Sequence, residues 1–300
     1  MSDETYDDLL DGSRAELPAA SGTLVLVSTP IGNLGDMTAR GTAALREADL
    51  ILCEDTRHTA RLLSALGIGG RLRSLHEHNE DARTGPTLDL LRAGKRVVLV
   101  SDAGTPVISD PGFRLVRASL AAGLRVTAVP GPNAAISALV LSGLPPHPFL
   151  FLGFPAARRA ARQTAFQRLR GAERAGLSAT LIWHEAPHRL PETLEDMAAV
   201  FGPRPAAVAR ELTKQFEEVR RAPLPELASH YAAETARGEV TVVVGPASGD
   251  VEEPADLDAQ LRAALSHQSL KDAVAEVVAA TGLSRKLVYA RALALSGEEG

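Results

Sequence analysis

Short apolar runs alternate with stretches of helical periodicity through the first half of the chain. Residues 24–28 ("LVLVS") form one such run, followed by the turn-rich "TPIGNLGD" and a helical segment from about Thr38 to Ala48. Residues 50–53 repeat the apolar run, and Leu62, Leu63 and Leu66 give the next segment helical spacing. Residues 71–75, 97–101 and 125–129 read as further strands. Residues 87–93 and 113–122 read as helices, each stopped by a glycine, Gly94 and Gly123. "PGPNAAISALVLSGLP" then gives a Pro-Gly-Pro turn and another helix. Strand and helix alternating in this way predict a mostly parallel sheet covered on both faces.

The Pro-rich "GLPPHPF" near residue 145 is the first boundary signal. Beyond it come a strand ("FLFLGF"), an arginine-rich loop and helix, a strand and loop ("ATLIWHEA") and a helix ("RLPETLEDMAAVFG"). A strand and loop ("PAAVARELT"), a helix over about 224–231 and a strand in "GEVTVVVGPA" follow, which predicts a second α/β domain. Residues 257–294 read as helical in two or three pieces. The expected organisation is a disordered acidic tail (1–21), an N-terminal α/β domain (22–145) and a second α/β domain (146–248). An acidic linker (249–256) and a helical C-terminal domain (257–300) complete it. In the last of these, two helical runs meet at Thr281, Gly282, Leu283 and Ser284, with Ser284 placed to cap the second. That pattern suits either an accessory bundle or dimer element, or a helix-turn-helix touching RNA or the ribosome through Arg285, Lys286 and Arg291.

Composition narrows the class. With 45% hydrophobic residues and a mean hydropathy near zero, the chain can bury sizeable cores. Its one cysteine, Cys53, rules out an internal disulfide framework and fits a reducing compartment. No apolar run is long enough to span a bilayer, and the acidic N-terminus lacks the features of a signal peptide, so a cytoplasmic protein without membrane contact is expected. The net charge of −5 is concentrated in the tail and in "GDVEEPADLD". Without those segments the balance turns basic, so overall charge does not argue against an RNA partner.

Candidate chemistry gathers in the turns after strands. "STPIGNLGD" places Gly32 and Gly35 between a strand and a helix, but it is neither GxGxxG nor a P-loop, leaving a tight turn or a ligand loop. "CEDTRHTARLL" packs Glu54, Asp55, Arg57 and His58 past a strand end, as either a capped helix start or a site. "SLHEHNED" pairs His76 and His78 with carboxylates, yet spacing fixes no third ligand, and no metal is expected. In "VVLVSDAGTPVISDPG" a strand runs into a Gly- and Pro-shaped loop bearing Asp102 and Asp110 but no Lys or Arg. Such a loop suits an adenosine-like ligand with a positive centre better than a polyphosphate. "VPGPNAAISAL" is a third such loop, in which Ala134 and Ala135 leave room for a flat ring.

"STPIGNLGDMTARG", "EDTRHT", "HEHNE", "VSDAGTPVISDPG", "PGPNAAISAL", "EAPHRL" and "ARELTKQFEE" occur in that order. Together they resemble the ribosomal RNA small subunit methyltransferase I family, over about residues 24–247. The C-terminal helical piece is also typical of that family. The resemblance implies two α/β domains of the tetrapyrrole-methylase type with the cofactor cleft between them, plus a small C-terminal helical domain. This fold is similar to cobalamin-pathway methylases and diphthine synthase. It implies S-adenosyl-L-methionine as cofactor and 2′-O-methylation of a cytidine in the decoding region of bacterial 16S rRNA. The implied partner is 16S rRNA within the small ribosomal subunit, and the implied assembly a homodimer. Cofactor contacts are implied at Pro30, Ile31 and Gly32, at Ser101, Asp102, Ala103, Gly104, Thr105, Pro106 and Ile108, and at Pro132, Ala134 and Ala135.

Two departures matter. Many relatives carry Gly-Asp-Pro where this chain has Gly104, Thr105 and Pro106, so backbone atoms and the threonine hydroxyl must replace that carboxylate. The aromatic Phe-Tyr pair usual before "EAPHR" is Trp183-His184, so no tyrosine is available there.

A ribose hydroxyl is a weak acid, so a base should help as the C–O bond forms. Candidates are Asp55, His58, His78, Glu80, Glu185 and Glu211. The favoured arrangement sets Asp55, Arg57 and His58 beside His78, Asn79 and Glu80 at the acceptor side. Arg57, Arg189 and Lys214 are expected to hold phosphates. Arg158, Arg159, Arg162, Arg168, Arg170 and Arg174 form a segment able to neutralise RNA backbone charge, the alternative being a solvated helix face. Two rival classes share these features: a small-molecule tetrapyrrole methylase and a non-catalytic rRNA-binding assembly factor.

Overall fold

The structure is a computed structural model that describes residues 22–234, 236–247, 257–281 and 285–298. The acidic tail, the acidic linker and the Gly282–Ser284 turn with its expected cap lie outside the described residues. The chain divides into two compact units between Asn133 and Ala134.

In the first unit, strands β1 (Thr23–Val27), β2 (Leu50–Cys53), β3 (Leu72–Ser74), β4 (Arg96–Leu99) and β5 (Arg125–Val129) form one sheet in the order β3-β2-β4-β1-β5. Every neighbouring pair is parallel. The helices are α1 (Ala39–Arg46), α2 (Thr56–Ala65), α3 (Glu80–Arg92) and α4 (Phe113–Ala121). The central strands are apolar throughout because both faces are covered. Val25, Val27, Ile51, Cys53 and Val98 pack with Ala44 and Leu45 of α1 and Leu63 of α2. The alternate residues Leu24, Leu50, Leu52, Val97 and Leu99 pack with Leu91 of α3 and Leu115 of α4. Helix α3 begins at Glu80 rather than near Thr87, because burial of Glu80 and Thr87 outweighs the Gly85-Pro86 break signal.

The topology marks one place on this sheet. From β1 the chain passes α1 to β2 on one side, and from β4 it passes α4 to β5 on the other. Adjacent β1 and β4 therefore send their outgoing loops in opposite directions. In open α/β sheets, ligands bind at such a switch point, outside the carboxyl ends of the strands.

The second unit opens with α5 (Ala134–Ser142), which packs on its own sheet. The division thus falls before α5 rather than near residue 145, because α5 packs on the strands of the second sheet. Strands β6 (Phe149–Phe151), β7 (Thr180–Glu185), β8 (Pro205–Arg210), β9 (Glu218–Pro223) and β10 (Val240–Val244) take the order β6-β7-β10-β8-β9. Only β6 and β7 are parallel; the other three pairings are antiparallel. Strand β9, "EVRRAP", carries no apolar run and escapes a pattern reading; it is an edge strand held by its ladder to β8. Helices α6 (Arg159–Arg174), α7 (Leu190–Phe201) and α8 (Leu224–Ala233) complete this α/β part. Helices α9 (Leu257–Leu265), α10 (Leu270–Thr281) and α11 (Arg285–Glu298) share a separate apolar core. Among the described residues, no helix is long and apolar enough to cross a membrane.

Candidate functional site

At the β1/β4 switch point three turns are tied together. Thr29 and Gly104 exchange backbone hydrogen bonds (2.9 and 3.0 Å), joining the loop after β1 to the loop after β4. The Thr29 hydroxyl donates to Ser101 O at 3.2 Å. The Thr105 hydroxyl is a hub: it donates to Pro132 O (3.3 Å) and accepts from Ser28 Oγ (3.3 Å) and Asn133 Nδ2 (3.2 Å). One hydroxyl thereby links the turns after β1, β4 and β5. Gly131 permits the closeness, since a Cβ there would stand 3.0 Å from Ser28 Cβ.

The loop after β4 is strained. Val107 (φ 76°) and Ser109 (φ 65°) occupy the left-handed region, which a β-branched residue rarely adopts. Strain of this kind clusters where a loop is held in a working shape. Gly112, at φ 124°, ends the loop where a Cβ would lie 2.5 Å from Leu99 Cδ2.

Beside these turns stand Glu54, Asp102 and Asp110, none of them ion-paired among the described residues. Asp102 Oδ1 accepts from the Asp55 amide at 3.1 Å. Burial pushes the Asp110 carboxyl up to about 6, Ser101 draws it down, and the charges of Glu54 and Asp102 raise it further. Glu54 is also raised, first by burial and then by Asp102 and Glu77. Carboxylates gathered without a cationic partner favour a cationic ligand and oppose a phosphate. A cavity of about 290 Å³, lined by Glu77, Glu80, Asp110, Gly112, Phe113 and Arg114, opens next to Asp110.

The expected cofactor residues divide by location. Pro30, Ile31, Gly32, Ser101, Asp102, Ala103, Gly104, Thr105, Pro106, Ile108 and Pro132 lie on these three turns of the first unit, with Ile31 and Ser101 buried. Ala134 and Ala135 start α5 in the second unit, and Ala135 is buried.

Several expected catalytic residues are engaged in hydrogen bonds that shape the fold. Asp55 caps α2, and the Arg57 side chain and backbone amide hold its carboxyl down at about 2, a poor base at neutral pH. Arg57 is committed to that pair, although its side chain is 86% exposed. Glu80 is buried and accepts from the Leu115 amide at 3.1 Å, which caps α4. Asn79 closes the turn before α3 by accepting from the His76 amide and donating to Ser74 O. His58 and His78 remain exposed. Asp110 and Glu54 lie in loops that the sequence marks as candidate sites, but neither is among its candidate bases. Their sequence signal is slight, because only the fold sets them against each other.

In the second unit Glu185 is buried, accepting from Thr193 Oγ1 (2.6 Å) and the Ala186 amide (2.8 Å). Arg189 lies 3.4 Å from Glu185 and donates to Pro155 O and Ala156 O, which occupies it in shaping the loop. Glu211 (φ 50°) and Lys214 pair at 2.9 Å, and Glu239 shares the ammonium at 3.3 Å. His184 is mostly buried against Phe151 and Phe154, with Nδ1 3.1 Å from Thr241 Oγ1, and burial lowers its pKa.

The arginine segment splits in two. Arg162 is 1% exposed and meets Asp196, itself fully buried, at 2.6 Å; Arg159 and Gln163 bind the same carboxylate. Arg170 pairs with Glu173, which forms a two-pronged bond to Arg204. Arg162 is therefore enclosed and, contrary to expectation, does not face RNA; it fixes α6 to α7, while Arg159 joins that contact with a side chain that stays 59% exposed. Arg158, Arg168 and Arg174 are exposed and have no carboxylate partner among the described residues. In the C-terminal helices Arg291 pairs with Asp258 at 2.6 Å, tying α11 to α9, while Arg285 and Lys286 stay exposed.

Comparison with known proteins agrees with this architecture. Residues 23–228 match the Tetrapyrrole (Corrin/Porphyrin) Methylases family, and residues 251–296 match the RsmI C-terminal HTH domain. The chain is 47% identical to a ribosomal RNA small subunit methyltransferase I of Micromonospora olivasterospora, over 93% of this chain and 89% of that protein. It is 43% identical to the Mesorhizobium japonicum protein of the same name, over 96% of this chain and 97% of the other. Among solved structures, uroporphyrin-III-C-methyltransferase from Thermus thermophilus aligns with a TM-score of 0.52 at 23% identity, over 75% of this chain and 94% of that one. Diphthine synthase aligns at 0.55 and 15% identity, covering 75% of this chain and 90% of its own. These two likenesses establish the fold alone. With turns gathered at a switch point, a tetrapyrrole-methylase fold and near full-length relatives, the chain belongs to the ribosomal RNA small subunit methyltransferase I family of methyltransferases.

Proposed function

We propose that this chain methylates the ribose 2′-hydroxyl of a cytidine in the decoding region of bacterial 16S rRNA, with S-adenosyl-L-methionine as donor. It would act as a homodimer on RNA within the small ribosomal subunit, in the cytoplasm. The observation that carries this reading is the near full-length likeness to relatives named for small subunit rRNA methylation.

The turns of the first unit fit the cofactor. Their donors and acceptors are hydroxyls and backbone groups, and the unpaired carboxylates Glu54, Asp102 and Asp110 favour a positive centre. Pro30, Ile31, Gly32, Ser101, Gly104, Thr105 and Pro132 would hold it. When bound, it supplies the methyl electrophile for an in-line displacement, and the protein supplies position and electrostatics. Asp110 is the proton acceptor best matched to neutral pH, and it borders the cavity that would admit the acceptor ribose. His58 and His78 remain alternatives at the same end of the sheet. Arg158, Arg168 and Arg174 would meet RNA phosphates.

The family description favours a second reading, methylation of a tetrapyrrole. One experiment separates them: labelled cofactor is incubated with small ribosomal subunits, with free 16S rRNA and with a tetrapyrrole. Label on a cytidine ribose supports the proposal. Label on the tetrapyrrole alone, or RNA binding without transfer, refutes it.

A further inference from the structure

The second unit holds a cavity that the reading above leaves unused. It measures about 330 Å³ and lies between the segment after β6 and one face of α6. Leu152, Pro155, Ala165 and Leu169 give it apolar walls, with Trp183 among its lining residues. Two exposed groups stand at the rim. Phe154 is 55% exposed, and Arg168 is exposed without a carboxylate partner among the described residues.

Phe154 is held in place. Its ring lies 5.7 Å from that of His184, which packs against Phe151 at 5.0 Å and meets Thr241 at 3.1 Å. A large exposed aromatic fixed from behind loses little freedom when something stacks on it. The helix extends the surface. Ala161, Ala165 and Arg168 recur at spacings of four and three residues and so share a stripe of α6, and Arg158 precedes it as the N-cap. The arginines lie roughly 15 Å apart along the axis, with alanines between them. A guanidinium at each end of a shallow strip suits a short stretch of anionic backbone.

We propose that this cavity receives a single unstacked base of the substrate RNA, stacked against Phe154, while Arg168 and Arg158 hold the flanking phosphates. Sequence-specific RNA recognition favours splayed bases on aromatic side chains, with arginine at the backbone. The volume sits at the low end for small-molecule sites, with room for one planar heterocycle. The inference rests on the RNA acceptor proposed above. It assigns a substrate contact remote in sequence from the cofactor turns.

Trp183 is the only tryptophan in the chain, so its emission reports on this cavity. The full-length protein is titrated with 16S rRNA while Trp183 fluorescence is followed. RNA affinity, cofactor affinity and methyl transfer are measured in parallel. The proposal expects RNA to change the emission. It expects Phe154→Ala to weaken RNA binding about 5- to 150-fold with cofactor affinity unchanged, and Phe154→Tyr to retain both. Ala165→Met, which fills the cavity, should abolish the fluorescence change. The proposal is overturned if wild-type protein binds and methylates RNA with Trp183 emission unchanged. It is also overturned if Phe154→Ala binds RNA within twofold of wild type, or if an alkyl detergent moves the emission and RNA does not. A response of Trp183 to RNA without any methyl transfer would sustain the base site and refute the methylation reading, so the two fail separately.

Discussion

Replacing Arg162 with methionine should destabilise the second unit while leaving its contacts with nucleic acid intact. Asp196 is fully buried and takes hydrogen bonds from Arg162 Nε at 2.8 Å, Arg159 Nε at 2.9 Å and Gln163 Nε2 at 2.8 Å. Removing one partner of a buried pair costs about 3–5 kcal/mol, because the other charge is left uncompensated. Arg162→Met keeps two donors on Asp196, so its cost should sit near the lower bound, about 3 kcal/mol. Asp196→Ala strands Arg162, which is 1% exposed, and should approach about 5 kcal/mol. At about 2–4 °C per kcal/mol for domains of 150–250 residues, the melting temperature should fall by roughly 6–12 °C and 10–20 °C respectively.

The assay is urea unfolding of each variant, paired with RNA titration at several salt concentrations. Arg158→Ala and Arg168→Ala supply the contrast: both side chains are exposed, so stability should hold within about 0.5 kcal/mol. Each should instead weaken RNA binding and lower the salt slope by about 0.7–0.9. An apolar pair, Arg162→Met with Asp196→Leu, should recover much of the lost stability, since matched hydrophobic replacement of a buried ion pair is often neutral. The reasoning is refuted if Arg162→Met leaves the unfolding midpoint in place and lowers RNA affinity.

Asp110→Asn should alter pH dependence in a defined direction. A folded carboxyl at about 6 against an ordinary 3.8 means the native state keeps its proton longer, so this contribution to stability is full at low pH and lost as pH rises through about 6. The variant should flatten that decline in urea midpoints between pH 4 and 7, and also the rise in cofactor affinity over the same range. Thr105→Val removes the hydroxyl joining three turns and should weaken cofactor binding about tenfold by calorimetry, with little change in the far-ultraviolet spectrum. Gly112→Ala places a Cβ 2.5 Å from Leu99 Cδ2 at φ 124° and should cost about 2–4 kcal/mol, read from its unfolding midpoint.

Where burial is two-sided, periodicity carried the fold. Strands β1, β2 and β4 are apolar at every or nearly every position because helices cover both faces, so their runs stand out against polar turns. Strand β9 had no such signature: an edge strand of Glu, Val, Arg, Arg, Ala and Pro gains its place from backbone pairing with β8. The α3 start was hidden for a different reason. Gly85 and Pro86 are local break signals, outweighed by the buried Thr87 and by the buried Glu80, which accepts from Leu115.

The site divides along the same line. Loop composition marks where the chain turns at strand ends, so the three turns after β1, β4 and β5 were readable from Gly, Pro, Ser and Thr alone. Which charged side chain is free to do chemistry was not readable, because that depends on what burial has already bound. Asp55 and Asp110 are the same residue type on neighbouring turns. One is fastened by Arg57 at 3.0 Å and held at about 2; the other stands among carboxylates, half-buried, and is raised to about 6. The same logic separates Arg162 from Arg168, six residues apart on one helix: one neutralises Asp196 inside the protein, and the other meets no acid at all among the described residues. For both pairs the functional candidate is the charge that the fold leaves uncompensated. A ligand of opposite sign therefore gains most at Asp110 and Arg168, and least at the residues whose partners the protein already supplies.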